Sequence, residues 1–161
     1  MIRIGHGIDV HAFDATRPLV LGGVRISESG GLSGHSDADA VLHSITDAIL
    51  GALGDGDIGE YFPSNDTRWG GADSRVFVRE ALNRLQARGG MVVNLDVTII
   101  AQQPKLSPHR AAVRASVAAI LGVRDDRVNV KATTTDGLGF IGRAEGLAVA
   151  SVICIELPDE D

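Results

Sequence analysis

The order of strand-like and helix-like segments constrains this chain most. Short apolar runs at residues 2–10, 18–26, 95–101, 127–133 and 147–157 have the length and β-branched content of strands. Between them, Leu42, Ile45, Ile49 and Leu53 recur on one helical face, as do Phe77, Ala81, Leu82 and Leu85. The spacing predicts a helix over 37–53 capped by Ser36 or Asp37. A second is predicted over 74–87, stopped by Gly89-Gly90, and a third opens at Ser107-Pro108 and ends at Gly122. The order β-β-α-α-β-α-β-β predicts an α/β fold of the α+β sandwich kind, a mixed β-sheet with helices packed on one face. The 161 residues suit a single catalytic domain spanning 1–161.

Composition narrows the partners. The net charge of −6 and 4% aromatic content argue against a nucleic-acid platform. A phosphorylated small molecule would have to meet local cations and backbone N–H groups. The 20 glycines predict tight turns and places where backbone approaches a ligand or another backbone. Cys154 is the sole cysteine, which suits a reducing compartment. No run has membrane-spanning length and Met1 to His6 has no leader pattern, so the expectation is a cytoplasmic enzyme with no membrane partner.

Asp9 and His11 stand two residues apart in a predicted strand and so share a face, while His6 faces the other way. On the first helix His43 sits at the edge of the apolar stripe, and Asp39 and Asp47 lie on the same flank, placed to orient its imidazole. One carboxylate and two imidazoles form an open zinc site. The plainer alternative is a strand Asp and His bonded to backbone, with His43 a satisfied helix residue.

Three segments suit phosphate or nucleotide. Ser33-Gly34-His35-Ser36-Asp37 precedes a helix, where N–H groups and a hydroxyl favour anions. Lys131 to Phe140 ends a strand with Thr133, Thr134 and Thr135, then Asp136 and two glycines, offering hydroxyls, amides and a hard-cation ligand. The stretch from Ala101 through Pro104, Lys105 and Leu106 offers free main-chain groups to a base edge, with Lys105 for phosphate. Each also has an everyday role: a cap, an Asp-Gly turn, a solvated loop. Asp55-Gly56-Asp57-Ile58-Gly59 fails as a calcium loop, because Gly59, Glu60 and Asp66 occupy its fifth, sixth and twelfth positions.

Taken together, Gly5-His6-Gly7-Ile8-Asp9-Val10-His11, Gly34-His35-Ser36-Asp37, Leu42-His43, Asp57-Ile58-Gly59, Phe62-Pro63, Gly71-Ala72-Asp73-Ser74, Asp96 to Ala101 and Val128 to Thr135 resemble the signature blocks of the 2-C-methyl-D-erythritol 2,4-cyclodiphosphate synthase family. The resemblance implies a homotrimer with active sites between subunits. It implies conversion of a cytidine diphosphate-linked substrate, 4-diphosphocytidyl-2-C-methyl-D-erythritol 2-phosphate, to the cyclic diphosphate with release of CMP, in the non-mevalonate isoprenoid pathway. Asp9, His11 and His43 would then hold Zn2+, and Asp136, where many members have glutamate, a second cation (Mg2+ or Mn2+). His35, Ser36 and Thr134 would contact phosphates or stabilise the transition state, flanked by Thr133, Thr135 and Phe140. Asp57, Ile58 and Gly59 would bind near ribose and erythritol, with Phe62, Pro63, Ser64, Asn65 and Asp66 lining that pocket. Residues 101–107 would form the cytosine pocket. Arg143 and Glu145 would line the trimer axis, where the family can hold an isoprenoid diphosphate, or else pair at the surface. The rival expectations are a zinc-dependent nucleotide phosphodiesterase or hydrolase, and a non-catalytic trimeric binding module with structural zinc.

Overall fold

The structure, a computed structural model, describes residues 1–159. Strand β1 (Ile2–Asp14) is followed by β2 (Leu19–Leu21), β3 (Val24–Ser27) and β4 (Gly31–Leu32). Helices α1 (Ala40–Leu53), α2 (Ile58–Tyr61) and α3 (Arg75–Ala87) come next. Then β5 (Met91–Ile100), α4 (Arg110–Leu121), β6 (Val128–Thr133), α5 (Gly139–Gly142) and β7 (Gly146–Glu156) complete the order. Five strands form one mixed sheet, β4-β1-β7-β5-β6, and β2 and β3 pair separately. The pair β5 and β6 is parallel; β7 runs antiparallel to both β1 and β5. The expected mixed sheet with a helical layer is present.

The differences from expectation are local. The predicted second strand is a hairpin, because Gly22 and Gly23 both take positive φ and reverse the chain. The loop after α1 contains α2, whose second and third amides, Gly59 and Glu60, donate to Asp57. The third helix starts at Arg110 rather than at Ser107-Pro108, since His109 N–H donates to Leu106 O and a tight turn comes first. Helix α1 is capped by Asp39, two to three residues beyond the expected Ser36 or Asp37. Its carboxylate accepts from Val41 and Leu42, both at 3.1 Å, and from Gly22 and Gly23 at 2.8 and 2.6 Å. One buried side chain thus closes the helix start and fastens it to the hairpin turn. Burial pushes the Asp39 carboxyl up to about 6, opposed by the Gly23, Gly22 and Leu42 N–H groups.

Helix α1 is buried almost all round, leaving only His43, Asp47 and Gly51, spaced four apart, short of full burial. It lies on β1 at unusually close range. A Cβ on Gly5 would sit 1.8 Å from Ala48 O, and one on Gly7 would sit 2.0 Å from Ser44 O. Helix backbone therefore rests directly on strand backbone. The two repeats match: two strand residues advance about 6.6 Å and four helix residues about 6 Å. Ser44 and Ala48 consequently face Gly7 and Gly5 in turn, and the next inward strand residue, Asp9, meets the helix near His43. Ser44 also bonds Ser151 of β7 at 2.7 Å, fixing the helix across the sheet.

The opposite face of β1 is exposed along its length. Ile2, Ile4 and Ile8 are 57%, 61% and 57% exposed, and Val10, Met91 and Val152 are exposed beside them.

The close seam predicts opposite outcomes for two glycine substitutions. Gly7→Ala should cost about 3 kcal/mol or more, because backbone must move to admit the methyl. Gly51→Ala, whose Cβ would be 3.8 Å from His6 O, should be neutral or stabilise by up to about 1 kcal/mol. Urea denaturation of both variants checks this.

Candidate active site

Strand β1 and helix α1 together build the centre of the site. Asp9 Oδ2 lies 2.8 Å from His11 Nε2 and 3.2 Å from His43 Nδ1, and the two ring nitrogens are 3.4 Å apart. Among the described residues, these three form the one group of His, Cys, Asp or Glu placed to share a metal ion. The separations fit the donor set to zinc: bonds of about 2 Å at tetrahedral angles put ligand atoms roughly 3.3 Å apart. Three protein ligands leave a fourth position open. The predicted face-sharing of Asp9 and His11 holds, and His6 is exposed on the other face.

Neighbouring groups set the chemistry of each ligand. His11 Nδ1–H donates to Ser33 O at 2.6 Å, which points Nε2 at Asp9. The hydrogen bond with Asp9 raises the His11 pKa, against the effect of burial. Burial opposes the Asp9 charge, but hydrogen bonds from His11 and His43 hold its carboxyl down at about 2. The expected orienting carboxylates of His43 do not reach it. Asp39 is spent on the helix cap, and Asp47, raised by burial, accepts from Ile58 N–H at 2.8 Å. Instead His43 Nε2 meets two hydroxyls, Ser74 Oγ at 2.9 Å and Ser36 Oγ at 3.1 Å.

The loop before α1 is held on several sides. The Arg17 guanidinium donates to the carbonyls of Gly34 and Ser36. Asp37 N–H donates to Ala72 O and Gly71 N–H to His35 O, at 3.0 and 2.8 Å. Across from it, His35 Nε2 donates to Asp66 O at 3.0 Å. His11, His35, Ser36, His43, Ile58, Gly59, Phe62 and Ser64 share a cavity of about 230 Å³ with Trp69 and Phe77. Phe62, Trp69 and Phe77 pack ring against ring at 4.6–5.9 Å, and Phe77 also meets the His43 ring. Asp57, Pro63, Asn65 and Asp66 do not line this cavity; Asp57 caps α2, and Asp66 pairs with Arg68 at 2.6 Å. Sequence reasoning missed Arg17, Trp69 and the role of Ser74, and read Phe77 as core. The Gly71-Ala72-Asp73-Ser74 block was the available signal for Ser74.

A second cavity of about 290 Å³ is lined by Ala101, Pro104, Lys105, Leu106, Thr133 and Thr134, among others. No residue lines both cavities. Register places them at the same end of the sheet: His11 pairs with Leu147, and Ile100 with Ala148 and Thr133. Strand β1 and strand β6 are three steps apart, about 14 Å. Asp136 stands away from the three ligands, exposed, with positive φ and a 3.2 Å bond from Thr134 Oγ1. Thr135 Oγ1 donates to Leu138 O at 2.6 Å, and Phe140 is exposed. Arg143 pairs with Glu145 at 2.7 Å on the surface.

Comparison with known proteins agrees with this arrangement. Residues 2–156 match the YgbB family. The chain is 57% identical to the 2-C-methyl-D-erythritol 2,4-cyclodiphosphate synthase of Bordetella avium, over 93% of each chain. Its fold is similar to that of the bifunctional IspDF from Campylobacter jejuni, with a TM-score of 0.94 and 45% identity. That match covers 99% of this chain and 43% of the longer one. It is also similar to a 2C-methyl-D-erythritol-2,4-cyclodiphosphate synthase structure in its CDP-bound form, with a TM-score of 0.87 and 38% identity over 96% and 100% of the chains. With Asp9, His11 and His43 gathered at the smaller cavity on this fold, the chain belongs to the YgbB family of 2-C-methyl-D-erythritol 2,4-cyclodiphosphate synthases.

Proposed function

We propose that the chain, as one catalytic domain, is a cyclising, CMP-releasing lyase of the non-mevalonate isoprenoid pathway. Its substrate is 4-diphosphocytidyl-2-C-methyl-D-erythritol 2-phosphate. An oxygen of the substrate's 2-phosphate attacks the β-phosphorus, the P–O bond to CMP breaks, and CMP leaves with the electron pair. The product is the 2,4-cyclodiphosphate, and no water or protein nucleophile enters the balance. The observation that carries this reading is the convergence of Asp9 Oδ2, His11 Nε2 and His43 Nδ1 beside a loop suited to anions. Family membership and the CDP-bound relative support the cytidine nucleotide.

Asp9, His11 and His43 would hold zinc, which when bound supplies a Lewis acid toward a phosphoryl oxygen. The residues around it bind and orient. His35 and Ser36 meet phosphate, and Ile58, Gly59, Phe62 and Ser64 line the cavity that would hold the erythritol, with Pro63, Asn65 and Asp66 in the loop around it and Asp57 toward the ribose. Ala101, Pro104 and Leu106 receive the cytosine while Lys105 and Thr133 to Thr135 meet the diphosphate. Asp136 is the ligand we assign to a second divalent cation, Mg2+ or Mn2+, on those phosphates. Catalysis is then positioning and charge neutralisation at the transferred phosphoryl group. An open coordination position favours this over a structural zinc, which uses four protein ligands.

The enzyme acts as a homotrimer in this reading. Six large apolar side chains exposed on one sheet face make a patch of the kind that marks a protein interface. Two cavities that share no wall suit a site completed by a neighbouring subunit. Arg143 and Glu145 would then sit toward the trimer cavity, where an isoprenoid diphosphate could bind, and Phe140 would stay beside the threonine run at the substrate. A cytoplasmic setting fits the lone cysteine; among the described residues no helix is long and apolar enough to cross a membrane.

Two measurements check the reading. His43→Ala should keep its circular dichroism spectrum yet lose turnover by about a thousandfold or more, as loss of several kcal/mol of metal-derived stabilisation requires. Phosphorus NMR of the wild-type reaction should show cyclic diphosphate and CMP in equal amounts; a linear product would make water the nucleophile and contradict the proposal. In zinc-free protein the Asp9–His11 pair has a defined pH window. Asp9, lowered from 3.8 to about 2, contributes stability above about pH 4 that is lost as pH falls through 2. His11, raised above 6.5, contributes stability below that pH that is lost as pH rises through its folded value. The stability gap between zinc-free wild type and Asp9→Ala should therefore be widest between about pH 4 and 6.5.

A further inference from the structure

We infer that Asp37 and Ser74 form a positioning relay that keeps His43 Nδ1 bare for the metal. The inference rests on the zinc reading above and adds the groups that enforce it. His43 can ligate through Nδ1 only if its ring proton sits on Nε2, so Nε2 needs a dedicated acceptor. The ring nitrogen alone does not decide this. A hydroxyl facing it can either accept or donate, and Asp9 on the far side favours a proton on Nδ1.

The hydrogen-bond order beyond the ring settles the direction. The Ser74 hydroxyl donates to Asp37 Oδ1, and Ser74 N–H donates to Asp37 Oδ2 at 3.1 Å. A carboxylate offers acceptors only, so the Ser74 proton is committed to it and Ser74 Oγ presents lone pairs to His43 Nε2 at 2.9 Å. Once a metal takes the place of the Nδ1–H that faces Asp9, the proton order runs from Asp37 through Ser74 to the imidazole, with Nε2–H donating and the Nδ1 lone pair turned to the metal. Ser36 Oγ adds a weaker acceptor at 3.1 Å while itself accepting from Ala38 N–H at 3.2 Å.

The relay is also held from several sides. Ser74 is fully buried at the start of α3, and Asp37 is pinned by its own N–H to Ala72 O. Asp39 N–H donates back to Asp37 Oδ1 at 3.1 Å. Ser74 makes no capping bond to α3. Its hydroxyl is therefore free of the helix-start duty that a serine at this position usually performs. Its bonds go to the site.

The test is zinc affinity by chelator competition, together with nitrogen NMR of the His43 ring in the zinc-loaded protein. Wild type should show a slowly exchanging, hydrogen-bonded Nε2–H. Ser74→Ala and Asp37→Asn should weaken zinc binding about 10- to 100-fold, the effect typical of losing a group that orients a ligand. Both should speed exchange of the Nε2–H and shift its signal. A purely structural role would lower the melting temperature and leave that signal in place. Unchanged affinity and an unchanged ring signal in both variants would overturn the relay. If Ser74→Ala folds poorly, Asp37→Asn, which preserves shape, decides the same point. A wild-type protein that takes up no zinc would instead overturn the metal reading, and the relay with it.

Discussion

The contact between helix α1 and strand β1 is the constraint on which the rest depends. Side chains normally hold a helix well above a sheet, but at Gly5 and Gly7 there are none, and the helix backbone comes down onto the strand. Only at that separation can His43 reach Asp9, since an imidazole is short and its Nδ1 lies close to the ring's attachment. The same seam explains why α1 is buried on nearly every side yet leaves one stripe, His43 and Asp47, open. The glycines that permit the packing also bring His43 within reach of Asp9.

An acidic protein that binds a polyanion must concentrate what little positive character it has. The chain carries −6 overall, so long-range attraction cannot gather the substrate. Instead, in the proposed function, Arg17 beneath the Gly34–Ser36 backbone, the amides of that loop, Lys105 and the assigned cations would supply it locally. Arg17 has two roles. It fixes loop carbonyls away from the cavity and adds a positive charge beside His11, which opposes protonation of that ligand.

Much of this was legible in the residues because it followed from local periodicity. Parity on β1 separates Asp9 and His11 from His6, and the stripe of Leu42, Ile45, Ile49 and Leu53 places His43 at a helix edge; both hold in the fold. What escaped sequence reasoning depends on partners far away in the chain. Ser36 and Asp37 read as the cap candidates, and Asp39 takes the place instead because its carboxylate also receives the Gly22 and Gly23 amides. Asp39 and Asp47 have the right helical phase to orient His43, but each is claimed by other backbone amides. Ser74, 31 residues from His43, does that work, and only the Gly71-Ala72-Asp73-Ser74 block marks it in the sequence. Phe77 lies in an apolar stripe and reads as core, whereas its ring also walls the cavity beside His43. Helix α2 and strand β4, four and two residues long, are too short to show a period.

The central claim is that Asp9, His11 and His43 hold a metal next to a phosphate, with the cytidine seated in the other cavity. An anomalous-scattering map at the zinc edge, from crystals grown with zinc and soaked with CDP, tests it most directly. The account predicts one strong peak bonded to Asp9 Oδ2, His11 Nε2 and His43 Nδ1, with its fourth position open to phosphate or water. It also predicts cytosine against Ala101, Pro104 and Leu106 of an adjoining subunit. A peak elsewhere, or a zinc closed by a fourth protein ligand, would contradict the account.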